Sequence, residues 1–377
     1  MKEYLDSARR NLTMTRLEMG KVCRLLGHEP WERTVNSAYS TVESVSVSVV
    51  ITLFNYAEYI LECLESVCNS ETSNLPDGFE VLVIDDGSTD SSADVVRHYM
   101  HQSTVPICLV EKLFNTGLAD ARNTGLHLAR ASYVFILDAD NWIYPNCLSK
   151  MYETLDGSDF AAAYGIINQF DNDTREGCGL VSLYEWDIDE LVQRPFIDAM
   201  ALFRRDVLLQ LGGYSVELME VGWCGWEDYD LWLKIAQAGY SCKCIPQILS
   251  AYRSHSHSMI ATTSPYELFI AKHFTKKYAN LIEKCHPDSQ YLFGVLRDRI
   301  FGPVPVTPSS VVAPSGNQEE IQKLKAQLRQ ARQNTQNLKD ELEQALNRIA
   351  AMETSKFWRL RTSWFRLKRR MGLPGQE

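Results

Sequence analysis

No apolar run in the 377-residue sequence approaches the ~20 residues needed to span a bilayer. Met1 to Gly27 mixes charges throughout, so the uninterrupted apolar core of a signal peptide is missing as well. Among ten cysteines there is no CxxC, which leaves scattered, reduced thiols of a cytosolic protein as the expectation. No GxGxxG follows the first β-branched run, and this disfavours a dinucleotide-dependent dehydrogenase. The same place lacks the Gly-rich loop followed by Arg and Lys with which a nucleotidyltransferase holds a triphosphate. Positive charge is scarce outside one segment. Residues 355–376 hold seven Lys/Arg and no Asp/Glu, so the remainder carries -17 against -10 for the whole. An acidic body argues against nucleic acid as a partner.

What is present reads as a folded chain with attachments. Apolar residues make up 45% and charged residues 23%, the balance of a globular protein. Tyr4, Ala8, Leu12, Met19, Val22 and Leu26 have the spacing of an amphipathic helix, and residues 34–44 read as a polar linker. From Val45 the character changes. Ser46 to Leu53, Val81 to Ile84 and Tyr133 to Leu137 are short apolar runs bounded by Asp, Asn or Gly. Between them lie stretches of helical period, among them Ile60, Cys63, Leu64 and Val67 on one face, and Val95, Val96 and Tyr99 on another. Strands alternating with helices predict an α/β fold, a mostly parallel Rossmann-like sheet with its ligands at the strands' carboxyl ends. The domain is expected over residues 45–300, after an N-terminal segment over residues 1–44.

Four groups of residues carry chemistry. Thr52, Phe54 and Asn55 close the first strand, and Asp85-Asp86-Gly87-Ser88-Thr89-Asp90 closes the next. A capped turn accounts for Ser88 and Asp90, but adjacent carboxylates cost free energy unless a ligand or donor uses them. Asp138-Ala139-Asp140 follows the strand Tyr133–Leu137 directly. Carboxylates two apart at a strand exit can approach a divalent cation, and hard oxygen ligands suit Mg²⁺ or Mn²⁺ bound with a diphosphate. In Gly225-Trp226-Glu227-Asp228-Tyr229-Asp230-Leu231-Trp232 the acids fall in the first turn of a helix. The helix dipole alone would favour them there. The functional reading is a general base beside an aromatic acceptor platform, Trp226. Lastly, Tyr252-Arg253-Ser254-His255-Ser256-His257 sets two histidines and an arginine together, which suits a metal or phosphate site.

In their order along residues 45–260 these groups resemble the family 2 glycosyltransferases of GT-A fold, together with Asn115-Thr116-Gly117 leading to Ala121-Arg122-Asn123. The resemblance implies a nucleotide-sugar donor, a divalent metal (Mn²⁺ or Mg²⁺) and inversion at the anomeric carbon. By that likeness Thr52, Phe54, Asn55, Asp85 and Asp86 belong to the nucleotide pocket, Arg122 contacts the nucleotide or its phosphates, and Asp138 faces the ribose. Asp140 and His255, in preference to His257, would hold the metal, while Asp228 is the acceptor-activating base with Glu227 its neighbour. The Gln-x-x-Arg-Trp sequence of processive polysaccharide synthases is absent, so single-sugar transfer is expected. The competing reading is a non-catalytic scaffold with a GT-A-like domain, disfavoured because Asp140 and Asp228 are both in place.

Residues 301–316, with four prolines and no charge, read as an extended linker. Over residues 317–354, Ile321, Leu328, Thr335, Leu342 and Ile349 alternate at 3-4 spacing with Leu324, Ala331, Leu338, Ala345 and Met352. This heptad pattern predicts a coiled coil and a homodimer. Residues 355–377 place Phe357, Leu360, Trp364, Leu367 and Met371 on one helix face among the basic residues, as an interfacial helix on an anionic membrane would. The expected location is cytoplasmic, with peripheral attachment to the inner face of a membrane. The acceptor is a glycan, a lipid-linked intermediate or a protein.

Overall fold

The structure is a computed structural model, and it describes residues 2–221, 225–255, 266–285 and 290–301. His257, the linker beyond Phe301, the heptads and the basic tail lie outside the described residues. No helix among the described residues is long and apolar enough to cross a membrane.

Ten strands form one sheet: β1 (Trp31–Val35), β2 (Val47–Leu53), β3 (Phe79–Asp85), β4 (Ile107–Lys112), β5 (Tyr133–Asp138), β6 (Trp142–Ile143), β7 (Ala162–Asp171), β8 (Gly177–Val181), β9 (Ala201–Arg204) and β10 (Cys242–Ser254). Their order is β1-β4-β3-β2-β5-β9-β7-β10-β6, with β8 paired to β7 outside this path. β4, β3, β2 and β5 run parallel to one another, and β9 is antiparallel to both its neighbours. Every residue of β2 and β3 is buried, as continuous apolar runs require when helices cover both faces of a parallel sheet. Helix Ile60–Cys68 buries Ile60, Cys63, Leu64 and Val67, the face its sequence period predicts. Chain order reverses between β2 and β5, and such a reversal opens a crevice at the strands' carboxyl ends.

The sheet begins earlier than the sequence suggests. Residues 34–44 are not a linker: β1 pairs antiparallel with β4, from Trp31 opposite Lys112 to Val35 opposite Cys108. Asn36 then starts the short helix Ser37–Thr41. Its Oδ1 accepts from the N–H groups of Tyr39 and Ile107, each at 3.0 Å, and its Nδ2 donates to the carbonyl of Val105 at 2.8 Å. A half-exposed edge strand needs no apolar alternation, which is why its composition resembles a loop.

The N-terminal helix Lys2–Leu25 forms as its spacing predicts, but it docks through another face. Thr13 is buried and Gly20 lies against Pro30, whereas Leu12, Met19, Val22 and Leu26 are exposed. Helix Leu118–Leu128 packs much more closely. A Cβ on Gly125 would stand 2.3 Å from Cγ1 of Val50, so only glycine lets this helix approach β2. That approach brings Arg122, one turn earlier, beneath the crevice.

Candidate active site

At the reversal point the hydroxyl of Thr52 on β2 donates to Oδ1 of Asp138 on β5 at 2.8 Å. Beside them the loop after β2 is stapled to the loop after β3. The Asn55 side chain accepts from the Thr89 N–H at 2.7 Å, and the Asn55 N–H donates to the hydroxyl of Ser88 at 2.9 Å. Asn55 adopts a left-handed conformation (φ 57°), which Asn tolerates better than most residues, and Phe54 is left 43% exposed at the rim. Asp85 accepts from the Ser88 N–H at 3.1 Å, and burial raises its pKa above the usual carboxylate range.

Asp86 is committed to the protein. It accepts from the N–H groups of Thr116 at 3.0 Å and Gly117 at 2.8 Å, and pairs with buried Lys112 at 2.7 Å. Burial raises its pKa, against the pull of Lys112. Gly87 follows in a left-handed turn (φ 74°), and a Cβ there would lie 3.0 Å from the Asn115 nitrogen. The adjacent acids Asp85 and Asp86 thus part company. One caps its own loop, and the other organises the Asn115-Thr116-Gly117 turn that starts the helix carrying Arg122.

Arg122 is 2% exposed and joins two regions 105 residues apart. One terminal nitrogen donates to Glu227 at 2.8 Å, and the other to both oxygens of Asp138 at 2.9 and 3.1 Å. The guanidinium carbon sits 5.2 Å from the ring centre of Tyr214. Burial works against the cation, but Asp138 and Glu227 hold its pKa above the ordinary value. A contact from these nitrogens to a phosphate would require one of the two carboxylate pairs to open. The neighbouring Asn123 fixes the other end of the cluster by accepting from the Tyr214 N–H at 2.7 Å and donating to the Tyr214 carbonyl at 2.8 Å.

Glu227 and Asp228 occupy the first turn of helix Glu227–Gln237, entered through Trp226 in a left-handed conformation (φ 64°). For a tryptophan this is strained backbone, held directly beside the two acids. Half-buried Trp226 packs edge-on against Tyr229 at 5.6 Å and lies 6.2 Å from Phe274. Asp230, fully buried, anchors the helix from behind by accepting from the Ser215 hydroxyl at 2.5 Å and the Tyr278 hydroxyl at 2.6 Å, and by pairing with Lys277 at 2.8 Å. The front acids differ. Glu227 is buried and paired with Arg122. Asp228 is half-buried, and the one hydrogen bond to its carboxylate among the described residues comes from the Tyr229 N–H at 2.7 Å. Burial, opposed by Arg122, raises the pKa of both.

On the β5 side Asp140 lies 3.0 Å from Nε2 of His255, whose ring is flanked by Tyr56 and Tyr59 at 5.9 and 5.6 Å. Burial raises the Asp140 pKa, against His255. Arg253, read with the two histidines as suiting a metal or phosphate site, is bonded within the protein. That buried guanidinium donates to the Asp140 carbonyl at 2.8 Å, to Asn172 at 2.8 Å and to Glu62 at 2.5 Å. It also lies 4.4 Å from the ring centre of Tyr59. Sequence reasoning missed Asp198. It precedes β9 as Asp138 ends β5, a short acidic stop beside an apolar strand. Burial pushes its pKa up to about 6, with the charges of Asp138 and Asp140 adding to the rise.

An oxygen donor from Asp140 and an imidazole from His255 can ligate a divalent cation. No ready-made cluster of three ligating side chains occurs among the described residues. The pair therefore fits a cation that takes further ligands from a diphosphate, as Mg²⁺ characteristically does.

Residues 48–212 match the sequence profile described as glycosyl transferase family 2. The glycosyltransferase GlyG of Streptococcus pneumoniae serotype 4 is 24% identical over 155 residues, which cover 41% of this chain and 50% of GlyG. The amylovoran biosynthesis glycosyltransferase AmsE of Erwinia amylovora is 27% identical over 214 residues, covering 55% of this chain and 76% of AmsE. The chain thus spans half the length of GlyG, and a larger share of AmsE. Among solved structures, the mannosyltransferase PcManGT from Pyrobaculum calidifontis, in complex with GDP-Man and Mn²⁺, is 23% identical. That similarity covers 74% of each chain with a TM-score of 0.48.

The Arg122 cluster generates a stability prediction. Arg122→Leu strands two carboxylates around an apolar side chain and should cost about 3 kcal/mol in urea unfolding. Adding Glu227→Gln should recover part of that loss. A loss below about 1 kcal/mol would show that the pairs do not hold the site together.

Proposed function

We propose, for a chain whose residues 48–212 belong to glycosyl transferase family 2 and whose sheet is of GT-A type, that the crevice between β2 and β5 transfers a single sugar from a nucleotide-sugar to an acceptor hydroxyl with inversion. The observation that carries this reading is the one guanidinium, Arg122, that touches both the strand-exit carboxylate Asp138 and the helix-start carboxylate Glu227. It keeps the donor side and the acceptor side of the crevice within the span of a single side chain. Phe54, Thr52 and the Asn55 loop would receive the base, with Asp85 and Asp86 shaping that pocket from behind, and Asp138 the ribose. Uridine diphosphate sugars are the first donors to test. AmsE, by its name, serves amylovoran biosynthesis, and a cell-surface glycan is the corresponding acceptor class proposed here.

Asp228 suits the base better than Glu227. Its carboxylate is half-buried with one backbone donor, whereas Glu227 is occupied by Arg122. In the step, the acceptor oxygen bonds to the anomeric carbon as the bond from that carbon to the diphosphate oxygen breaks. Asp228 takes the hydroxyl proton, and the diphosphate leaves with the electron pair. Asp140 and His255 would hold Mn²⁺ or Mg²⁺, which when bound supplies positive charge to the leaving diphosphate. Arg122 pairs with both Asp138 and Glu227 in a buried place, and Trp226 walls the acceptor side. The heptads and basic tail, outside the described residues, are proposed to dimerise the chain and to hold it at an anionic membrane.

Asp140→Ala should abolish turnover and weaken nucleoside diphosphate binding in Mn²⁺, with the circular dichroism spectrum unchanged. Full activity in that variant, or in the parent with excess EDTA, contradicts the metal role. Asp228→Asn should lower turnover by a factor on the order of 10²–10⁴ with donor affinity little altered. Because burial raises the Asp228 pKa, the base is lost as pH falls through a value above the ordinary carboxylate range. The acidic limb of kcat/KM should therefore lie above that range, and a limb near pH 4 would assign the base to a solvated carboxylate instead.

A further inference from the structure

One carboxylate in the crevice has no role in the mechanism above. The register of β5 against β9 pairs Phe135 with Leu202, Val134 with Phe203 and Tyr133 with Arg204. Asp198 lies just before that ladder, close enough to Asp138 and Asp140 to feel the charge of both. Two hydrogen bonds pin it there. Its N–H donates to the Ser182 hydroxyl at 2.9 Å, and its Oδ1 accepts from the Met200 N–H at 3.0 Å. The carboxylate is only partly covered, and among the described residues its other oxygen accepts no hydrogen bond. Asp198 feels the charges of Asp138 and Asp140 on one side, and Asp228 feels the charge of Asp198 on the other.

Under the glycosyltransfer reading, an acid within electrostatic reach of Asp138 and Asp140 at the diphosphate end and of Asp228 at the base end stands near the place of the transferred sugar. Among the described residues Asp198 forms no salt bridge with a Lys, Arg or His, and it feels Arg122 only through that residue's charge. It fits neither the leaving diphosphate, which it would repel, nor the nucleobase, whose pocket lies at the β2 and β3 loops. A neutral hydroxyl is the chemistry left. We infer that Asp198 accepts a hydrogen bond from a ring hydroxyl of the donor sugar, and so helps to select which sugar is transferred. This inference rests on the glycosyltransfer reading of the same site. Its held oxygen fixes the direction of the open one, and a rigid acceptor rejects a sugar lacking a hydroxyl at that point because the carboxylate is then left unsatisfied.

The test compares a nucleoside diphosphate with its sugar conjugates. Binding of UDP, UDP-glucose, UDP-galactose, UDP-N-acetylglucosamine, GDP and GDP-mannose would be titrated calorimetrically in Mn²⁺ for the parent, Asp198→Asn and Asp198→Ala. The asparagine can still accept from Met200 and guards against a simple folding failure. The parent should bind one conjugate better than its free diphosphate. Both variants should keep the affinity for the free diphosphate and lose roughly 10- to 100-fold for that conjugate. Variants that keep the full preference, or that lose free diphosphate and conjugate equally, overturn the role of Asp198 while leaving the glycosyltransfer reading intact. A parent that binds none of the six overturns both.

Discussion

Arg122 donates to Asp138 on one side and Glu227 on the other, and the arrangement of the site follows from satisfying that one buried cation. An unpaired guanidinium in the protein interior would be prohibitively costly, and the two carboxylates would lose their charge partner without it. The strand exit and the start of helix Glu227–Gln237 are therefore obliged to meet where Arg122 stands. Several features serve that meeting. Gly125 lets the helix lie close on Val50, Asp86 shapes the turn that starts it, and Asn123 ties it to the Tyr214 loop. Asp230 fixes the facing helix from behind through Ser215, Tyr278 and Lys277.

A second buried arginine does comparable work at the other wall. Arg253 holds the carbonyl of Asp140, Asn172 and Glu62 at once, so the Asp138–Asp140 turn is supported by segments far apart in sequence. The two arginines leave different carboxylates free. Arg122 occupies Glu227 and leaves Asp228 half-open, while Arg253 takes the backbone at Asp140 and leaves its side chain to His255. Division of labour between neighbouring acids is set here by which one a buried cation claims.

Much of this was legible in the sequence because it is local. β2, β3 and β5 announce themselves as apolar runs bounded by Asn or Asp, and Ile60, Cys63, Leu64 and Val67 lie on the face their spacing gives them. The acids at positions 138, 140, 227 and 228 stand where strand exits and helix starts put them. What escaped was non-local. The pairing of Arg122 with Glu227, 105 residues away, left no local signal beside its reading by resemblance as a contact to the nucleotide or its phosphates, and Arg253 reaches Glu62 across 191. Residues 34–44, which hold the end of β1 and the helix Ser37–Thr41, were read as a linker because an edge strand, exposed on most of its length, keeps a polar composition. Asp198 carried a signal, an acid abutting the apolar run Ala199–Phe203, but only the folded chain brings it within reach of the charges of Asp138 and Asp140.

A single base on one side of the sugar and a leaving diphosphate on the other allow one displacement, and this is the claim on which the functional account stands. It is tested most directly by proton NMR of the sugar first released when an α-linked nucleotide-sugar is turned over in Mn²⁺, with water as acceptor. The account predicts that the β-anomer appears first and then mutarotates. The α-anomer appearing first would mean retention, and would contradict a direct displacement with Asp228 as the base.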